Sequence, residues 1–188
     1  MTNDGTLALF LMLGQSASRS MTALPDAVPQ DVLTLSPSYE LAPLMPEAVR
    51  AASRASEAYK LFFVFEAYLR ELVVDVLSKG IGAEWWDRVP EDVRQEIAKL
   101  EETEEAKRWM ALGSRDRSAL MTYPQLLRVI DHGWKDGFGD LVRDKALLQE
   151  ARVITHLRNM VCHMTSISDE EMERIRQVMR DWFRMVTP

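Results

Sequence analysis

Beyond Pro46 the apolar positions recur at three- and four-residue steps, the period of an α-helix with one buried face. The stretch from Glu47 to Lys79 contains neither Gly nor Pro. Within it Phe62, Phe65, Leu69, Val73 and Val76 form one apolar stripe, and Leu61, Val64 and Tyr68 add a second. A helix apolar most of the way round belongs in the middle of a bundle. Gly80 and Gly82 end it, and Trp85 and Trp86 follow in a position to plug the bundle end.

Pro90 suits the first turn of a second helix, Asp92 to Arg108, whose Glu101, Glu102, Glu104 and Glu105 form a solvated acidic face. Residues 113–120 read as a loop. Thr122 is placed to cap a helix with Pro124 near its start, running to about His132. Gly133, Gly137 and Gly139 interrupt the chain, and helical pattern resumes from Asp140 or Asp144 to Met164. The last helix is the best marked. Ser168 and Glu171 make a capping box, Ile167 and Met172 a hydrophobic staple, and Met172, Ile175, Met179, Trp182 and Val186 a narrow apolar stripe. No segment alternates as a strand does. The expectation is an all-α bundle of four to five helices, antiparallel where the loops are short.

Residues 1–45 differ in kind. Pro25, Pro29, Pro37 and Pro43 break any regular pattern in a stretch rich in Ser, Ala and Thr. Residues 1–45 are therefore read as an irregular extension or linker, and residues 46–188 as the helical domain. The apolar run Leu7 to Leu13 is too short to span a bilayer, and Asp4 stands where a signal peptide carries positive charge. That run is expected to pack on the domain or a partner, and the protein to be cytoplasmic, with no membrane partner. Cys162 is the single cysteine, so no disulfide forms within the chain. The net charge of −6 excludes a protein that coats nucleic acid. It is uneven, however: from Arg143 onward the balance is +1 and over the rest −7, which suits contact with a few phosphates.

Candidate chemistry lies in the segment Asp144 to Met164. Leu147, Ala151, Ile154, Leu157 and Val161 share its core face. Arg152, His156, Asn159 and His163, at 4-3-4 spacing, form a polar stripe away from it, with Arg158 at the boundary near Ile154. The stripe holds two of the three histidines, has no acidic residue and lies near a helix end. Imidazole, guanidinium and carboxamide together suit phosphate chemistry. The plain alternative is an exposed polar face. His156 and His163, seven residues apart, are separated by about 10 Å along a helix axis, too far to share a metal ion. There is no HExxH motif, cysteine pair, glycine-rich phosphate loop or nucleophile elbow, so no metal and no cofactor is expected. Cys162 and His163 point about 100° apart on a helix and cannot pair with each other; Cys162 reads as a small, semi-buried filler.

The run Arg158-Asn159-Met160-Val161-Cys162-His163 resembles the HEPN superfamily signature, an Arg followed after four to six residues by His, with a polar residue after the Arg. Its place near the end of the penultimate helix fits. Tyr59 to Val74, the Trp85-Trp86 pair and the final helix resemble the subgroup found at the C-terminus of a yeast nuclear endoribonuclease. The resemblance covers roughly residues 50–187. Some HEPN toxins carry Tyr two residues after the motif His; Thr165 stands there, which separates this chain from the versions paired with nucleotidyltransferase antitoxins.

The resemblance implies a homodimer in which two motifs line one cleft and cleave RNA without a metal. His163 would act as general base or acid, Arg158 would stabilise charge on the phosphorane-like transition state, and Asn159 would bond phosphate or orient its neighbours. Arg152 and His156 would contact flanking phosphates. Each assignment has a structural counterpart: Arg158 pairing with Glu66, His163 as a helix-end residue, Asn159 merely solvated. Endoribonuclease in defence, toxin or RNA-processing roles stands beside a non-catalytic dimerisation or RNA-binding module, and beside a toxin held by an antitoxin or other protein partner.

Overall fold

The computed structural model describes Gly5 and residues 9–17, 33–36, 39–79, 84–106 and 116–186. The chain divides into two compact units, residues 1–56 and 57–188. Among the described residues of the first unit, residues 9–17 are helical (α1), and Leu9, Phe10, Leu11, Met12 and Leu13 are all exposed. A two-stranded antiparallel hairpin, β1 (Thr34–Ser36) with β2 (Tyr39–Glu40), lies in the stretch expected to be irregular, and its register is irregular between Thr34 and Ser36. So short a pairing is below the length at which alternation shows in sequence. The Leu41 amide extends it by donating to the Leu33 carbonyl at 2.8 Å.

Helix α2 (Pro46–Ser78) enters the second unit at Glu57. Its expected stripe is core: Phe62, Phe65, Leu69, Val73 and Val76 are buried. The second stripe is not. Val64 is exposed, Leu61 and Tyr68 are half-buried, and Phe63 is exposed as well. The helix therefore lies against the other helices on one side rather than at the bundle centre. Around the core stripe, Phe65 meets Trp182 edge-on at 5.5 Å between ring centres, and Phe62 meets Tyr123 in the same way at 5.8 Å.

A 3-10 turn at Trp85–Arg88 sets the two half-buried indoles edge to face against the core, 5.4 Å apart. Helix α3 (Glu91–Ala106) buries Val93 and Ile97 and leaves most of its acidic run in solvent. Within the expected loop at 113–120 stands one helical turn, α4 (Arg117–Leu120). Asp116 caps it by accepting from the Ser118 amide at 2.9 Å, a local side-chain bond that apolar periodicity does not register. Helix α5 (Tyr123–His132) starts where Thr122 and Pro124 place it; the Thr122 amide and hydroxyl donate to Gln125 Oε1 at 2.7 and 2.9 Å.

A 3-10 turn at Trp134–Asp136 leads through Gly137, which adopts φ 124°, into α6 (Phe138–Val142). The segment expected as one helix from Asp144 to Met164 is two: α7 (Lys145–Val153) and α8 (Thr155–Cys162), with a lapse at Ile154. The lapse has a tertiary cause. The hydroxyl of buried Tyr123 donates to the Ala151 carbonyl at 2.8 Å, bringing an outside donor to the last turn before the lapse. The expected core face survives, with Leu147, Ala151, Ile154, Leu157 and Val161 all buried. Helix α9 (Asp169–Val186) closes the bundle and buries Met172, Ile175, Val178, Met179 and Trp182. Its capping box forms both bonds: the Ser168 amide to Glu171 at 2.8 Å and the Glu171 amide to Ser168 Oγ at 3.2 Å. Among the described residues no helix is long and apolar enough to cross a membrane.

Candidate functional site

Glu66 lies in the most apolar part of α2, where Phe65 and Leu69 are core. A carboxylate there must be solvated or paired, and two arginines pair it. Arg70, one turn on, donates to Oε1 at 3.1 Å, and Arg158 of α8 donates to Oε2 at 3.4 Å. The three side chains keep only 24% (Arg70), 18% (Glu66) and 24% (Arg158) of their surface in solvent, so the ion pairs lie in a region screened less than open surface. Arg70 also donates through Nε to the Ser118 carbonyl at 2.7 Å, which ties it to α4. Among the described residues Glu66 is the only partner of Arg158, so most of that guanidinium's five N–H donors remain unspoken for.

These groups line a cavity of about 250 Å³ together with Tyr59, Phe62, Phe63, Ala67, Val161 and Cys162. Behind it Phe62 packs against the buried Tyr123, whose hydroxyl pKa is pushed well above the ordinary tyrosine value by burial first and by the nearby Glu66 charge second. Cys162 is exposed rather than semi-buried, because α8 ends there and its side chain opens onto this cavity.

Asn159 and His163 lie on the adjoining face of α8, both exposed, and among the described residues neither side chain has a hydrogen-bond partner. His163 is the helix C-cap. Beyond it the amide of Met164 bonds the Val161 carbonyl at 3.1 Å and the amide of Thr165 bonds the Met160 carbonyl at 3.0 Å. This is a Schellman ending, with Met164 at φ 58° in the place glycine usually takes. It fixes the backbone at His163.

The polar stripe read from the sequence is thus divided. Arg152 sits on α7, before the lapse, and donates to Asp131 at 2.7 Å. Asp131 has its pKa lowered mainly by that bond and then by Lys145. His156 is exposed at the start of α8. The structure joins Arg158 to Glu66 and Arg70, and leaves Asn159 and His163 beside them on open surface. Arg70 lies outside the polar stripe; its signal in the sequence is the pair Glu66 and Arg70, four apart beside an apolar run.

A larger groove of about 1000 Å³ runs between α2 and α9, floored by Leu61, Val64, Met179 and Phe183. Its lining contains no histidine and none of the candidate site residues Arg152, His156, Arg158, Asn159 and His163. Among the described residues no group of three or more His, Cys, Asp or Glu side chains is gathered as a metal site.

An all-α bundle that holds a guanidinium over a small cavity on its penultimate helix, with a carboxamide and an imidazole on the adjoining face, has the build of a HEPN-type domain. The family comparison is specific. The model of the Swt1-like HEPN family matches residues 60–187, and the chain belongs to that family. No curated protein and no solved structure matches it.

Proposed function

We propose that the protein is a metal-independent endoribonuclease that acts as a homodimer, with Arg158, Asn159 and His163 of both copies facing one cleft. The observation that carries this reading is the state of the three side chains. Arg158 is oriented by Glu66 yet keeps donors free, while Asn159 and His163 stand exposed and unbonded on the same helix end. Arg158, three-quarters shielded, is held in place with donors to spare, and the exposed Asn159 and His163 are open to a ligand that meets the same helix end.

In the reaction, the 2′-hydroxyl of RNA attacks the adjacent phosphorus. His163 takes the hydroxyl proton as the new P–O bond forms. The P–O5′ bond breaks, and the 5′-oxygen leaves with a proton from an acid, the second copy's imidazole being the group suited to it. The products are a 2′,3′-cyclic phosphate and a free 5′-hydroxyl. The guanidinium of Arg158 carries the charge that builds on the non-bridging oxygens, and Asn159 donates to the same phosphate. A single copy does not place Arg158 and His163 in one cavity, which is why a second copy is part of the proposal.

The test is cleavage of single-stranded RNA with EDTA present, comparing wild type with His163→Ala and Arg158→Ala. Each substitution is expected to lower the rate at least about a hundredfold, and 2′-deoxy substrate to be inert. Equal behaviour of the three proteins leaves the second reading, a non-catalytic RNA-binding or dimerisation module. The engagement of Arg158 by Glu66 and the acidic net charge favour that reading. A role in defence, as a toxin held by a protein partner, or in RNA processing is an extension of the first, tested by expression of wild type against His163→Ala in growing cells.

A further inference from the structure

Tyr59 and Phe63 stand one turn apart on α2, with 56% and 63% of their surface exposed. Their rings are 6.0 Å apart and tilted by 34°. Neighbouring Phe62 and Phe65 are fully engaged in the core, so the exposure belongs to one face of the helix. Along that face Tyr59, Phe63, Glu66 and Arg70 follow at 4-3-4 spacing, and all four line the cavity that also holds Arg158. Two open aromatic faces therefore adjoin two guanidinium groups and one carboxylate.

We propose that Tyr59 and Phe63 are the stacking platform for one unpaired base of a single-stranded RNA whose phosphate lies at Arg158. The proposal rests on the RNA-directed reading of the Arg158 site and adds to it the subsite that holds the base. A nucleotide offers what the cavity matches: a flat π-face for the rings, a polar edge for the carboxylate, and an anion for the free donors of Arg158. Stacking on an aromatic side chain holds a base by its π-face and requires a base freed from its helix. Tyr, Phe and Arg are also enriched in protein interfaces, so a second copy seated on the rings is the competing occupant that the experiment must separate.

The experiment uses the full chain carrying His163→Ala, so that RNA is bound and not consumed. The probes are a short single-stranded RNA with one 2-aminopurine and the same RNA with an abasic position in its place. The expected results are quenching of the 2-aminopurine on binding, weaker binding of the abasic RNA, and a loss of affinity of about tenfold in Phe63→Ala. Phe63→Trp restores affinity, and the single-stranded DNA analogue is quenched alike, since stacking ignores the 2′-hydroxyl. Sedimentation of each variant accompanies the titration. No binding, unchanged affinity without the rings, or a Phe63→Ala protein that loses affinity only because it falls from dimer to monomer overturns the platform; the last outcome assigns the rings to a second copy. Quenching that persists while the wild type fails to cleave overturns the nuclease reading alone. Cleavage without quenching overturns the platform alone.

Discussion

Arg158 and Glu66 are 92 positions apart in the chain, and the structure sets Nη2 of one 3.4 Å from Oε2 of the other, on the wall of the cavity that both line. The pair joins α8 to α2 and decides which way the guanidinium faces. Arg70 shares the same carboxylate, so one anion orients two cations.

Glu66→Gln keeps the shape and removes the charge. Two arginines, each about three-quarters shielded, are then left without their counter-ion. Urea unfolding is expected to show a loss of about 1–3 kcal/mol, and RNA cleavage to fall with it as Arg158 loses its orientation. Cleavage undiminished in a folded Glu66→Gln protein would remove Glu66 from the site.

Met164 sits at φ 58° and is 90% exposed, so its conformation carries strain that its contacts do not offset. Met164→Gly is expected to raise stability by about 1 kcal/mol, seen as a higher urea midpoint at unchanged slope. His163 remains the C-cap, and activity is expected to hold. A lower midpoint would mean that the Met164 side chain is covered in the assembled protein.

The Tyr123 hydroxyl has its pKa raised by burial, and then by Glu66. A raised folded value means the protonated form is favoured in the native state, so this contribution is complete below the unfolded tyrosine value of about 10 and is lost as pH rises above it. Among the four tyrosines of the chain, Tyr123 is expected to ionise only as the protein unfolds. Near-ultraviolet phenolate absorbance followed beside circular dichroism reads both events. Tyr123→Phe deletes the bond to the Ala151 carbonyl and is expected to cost about 1–2 kcal/mol.

On the acid side the opposite sign applies. Asp131 is lowered mainly by Arg152, and Glu96 mainly by Arg128 and then Gln125. Their contribution is present above about pH 4 and is lost as pH falls through the depressed values. In Asp131→Asn the acid limb of a stability profile should flatten. The same change releases Arg152, so affinity for RNA rises if Arg152 meets flanking phosphate and stays level if it does not.

How much of this was legible before folding depends on the range of the interaction. The capping box at Ser168, the helix start at Thr122, the core stripe of α2 and the core face through Leu147 and Val161 are all present, because each is written within a few residues. The Glu66–Arg158 pairing stood as one of two readings of Arg158 and is present. The single helix through Ile154 failed, since Tyr123 reaches in from 28 positions away. Cys162 and the second stripe of α2 failed for a related reason: periodicity marks which faces are apolar, not which of them finds a neighbour. The hairpin near Thr34 was too short to register, and the expectations for Gly80, Gly82 and residues 107–115 lie outside the described residues.

Local chemistry alone thus determined that the chain is helical, where most helices begin, and which side chains could serve phosphate chemistry, because hydrogen-bonded turns and capping depend on neighbours three or four places along. Tertiary structure decided the rest: that Arg158 is held by a carboxylate from α2, that Arg152 is drawn off to Asp131, and that Tyr59 and Phe63 are left open beside the cavity. Those outcomes depend on which helix faces meet, and burial is a property of the assembled bundle, which no window of the chain contains.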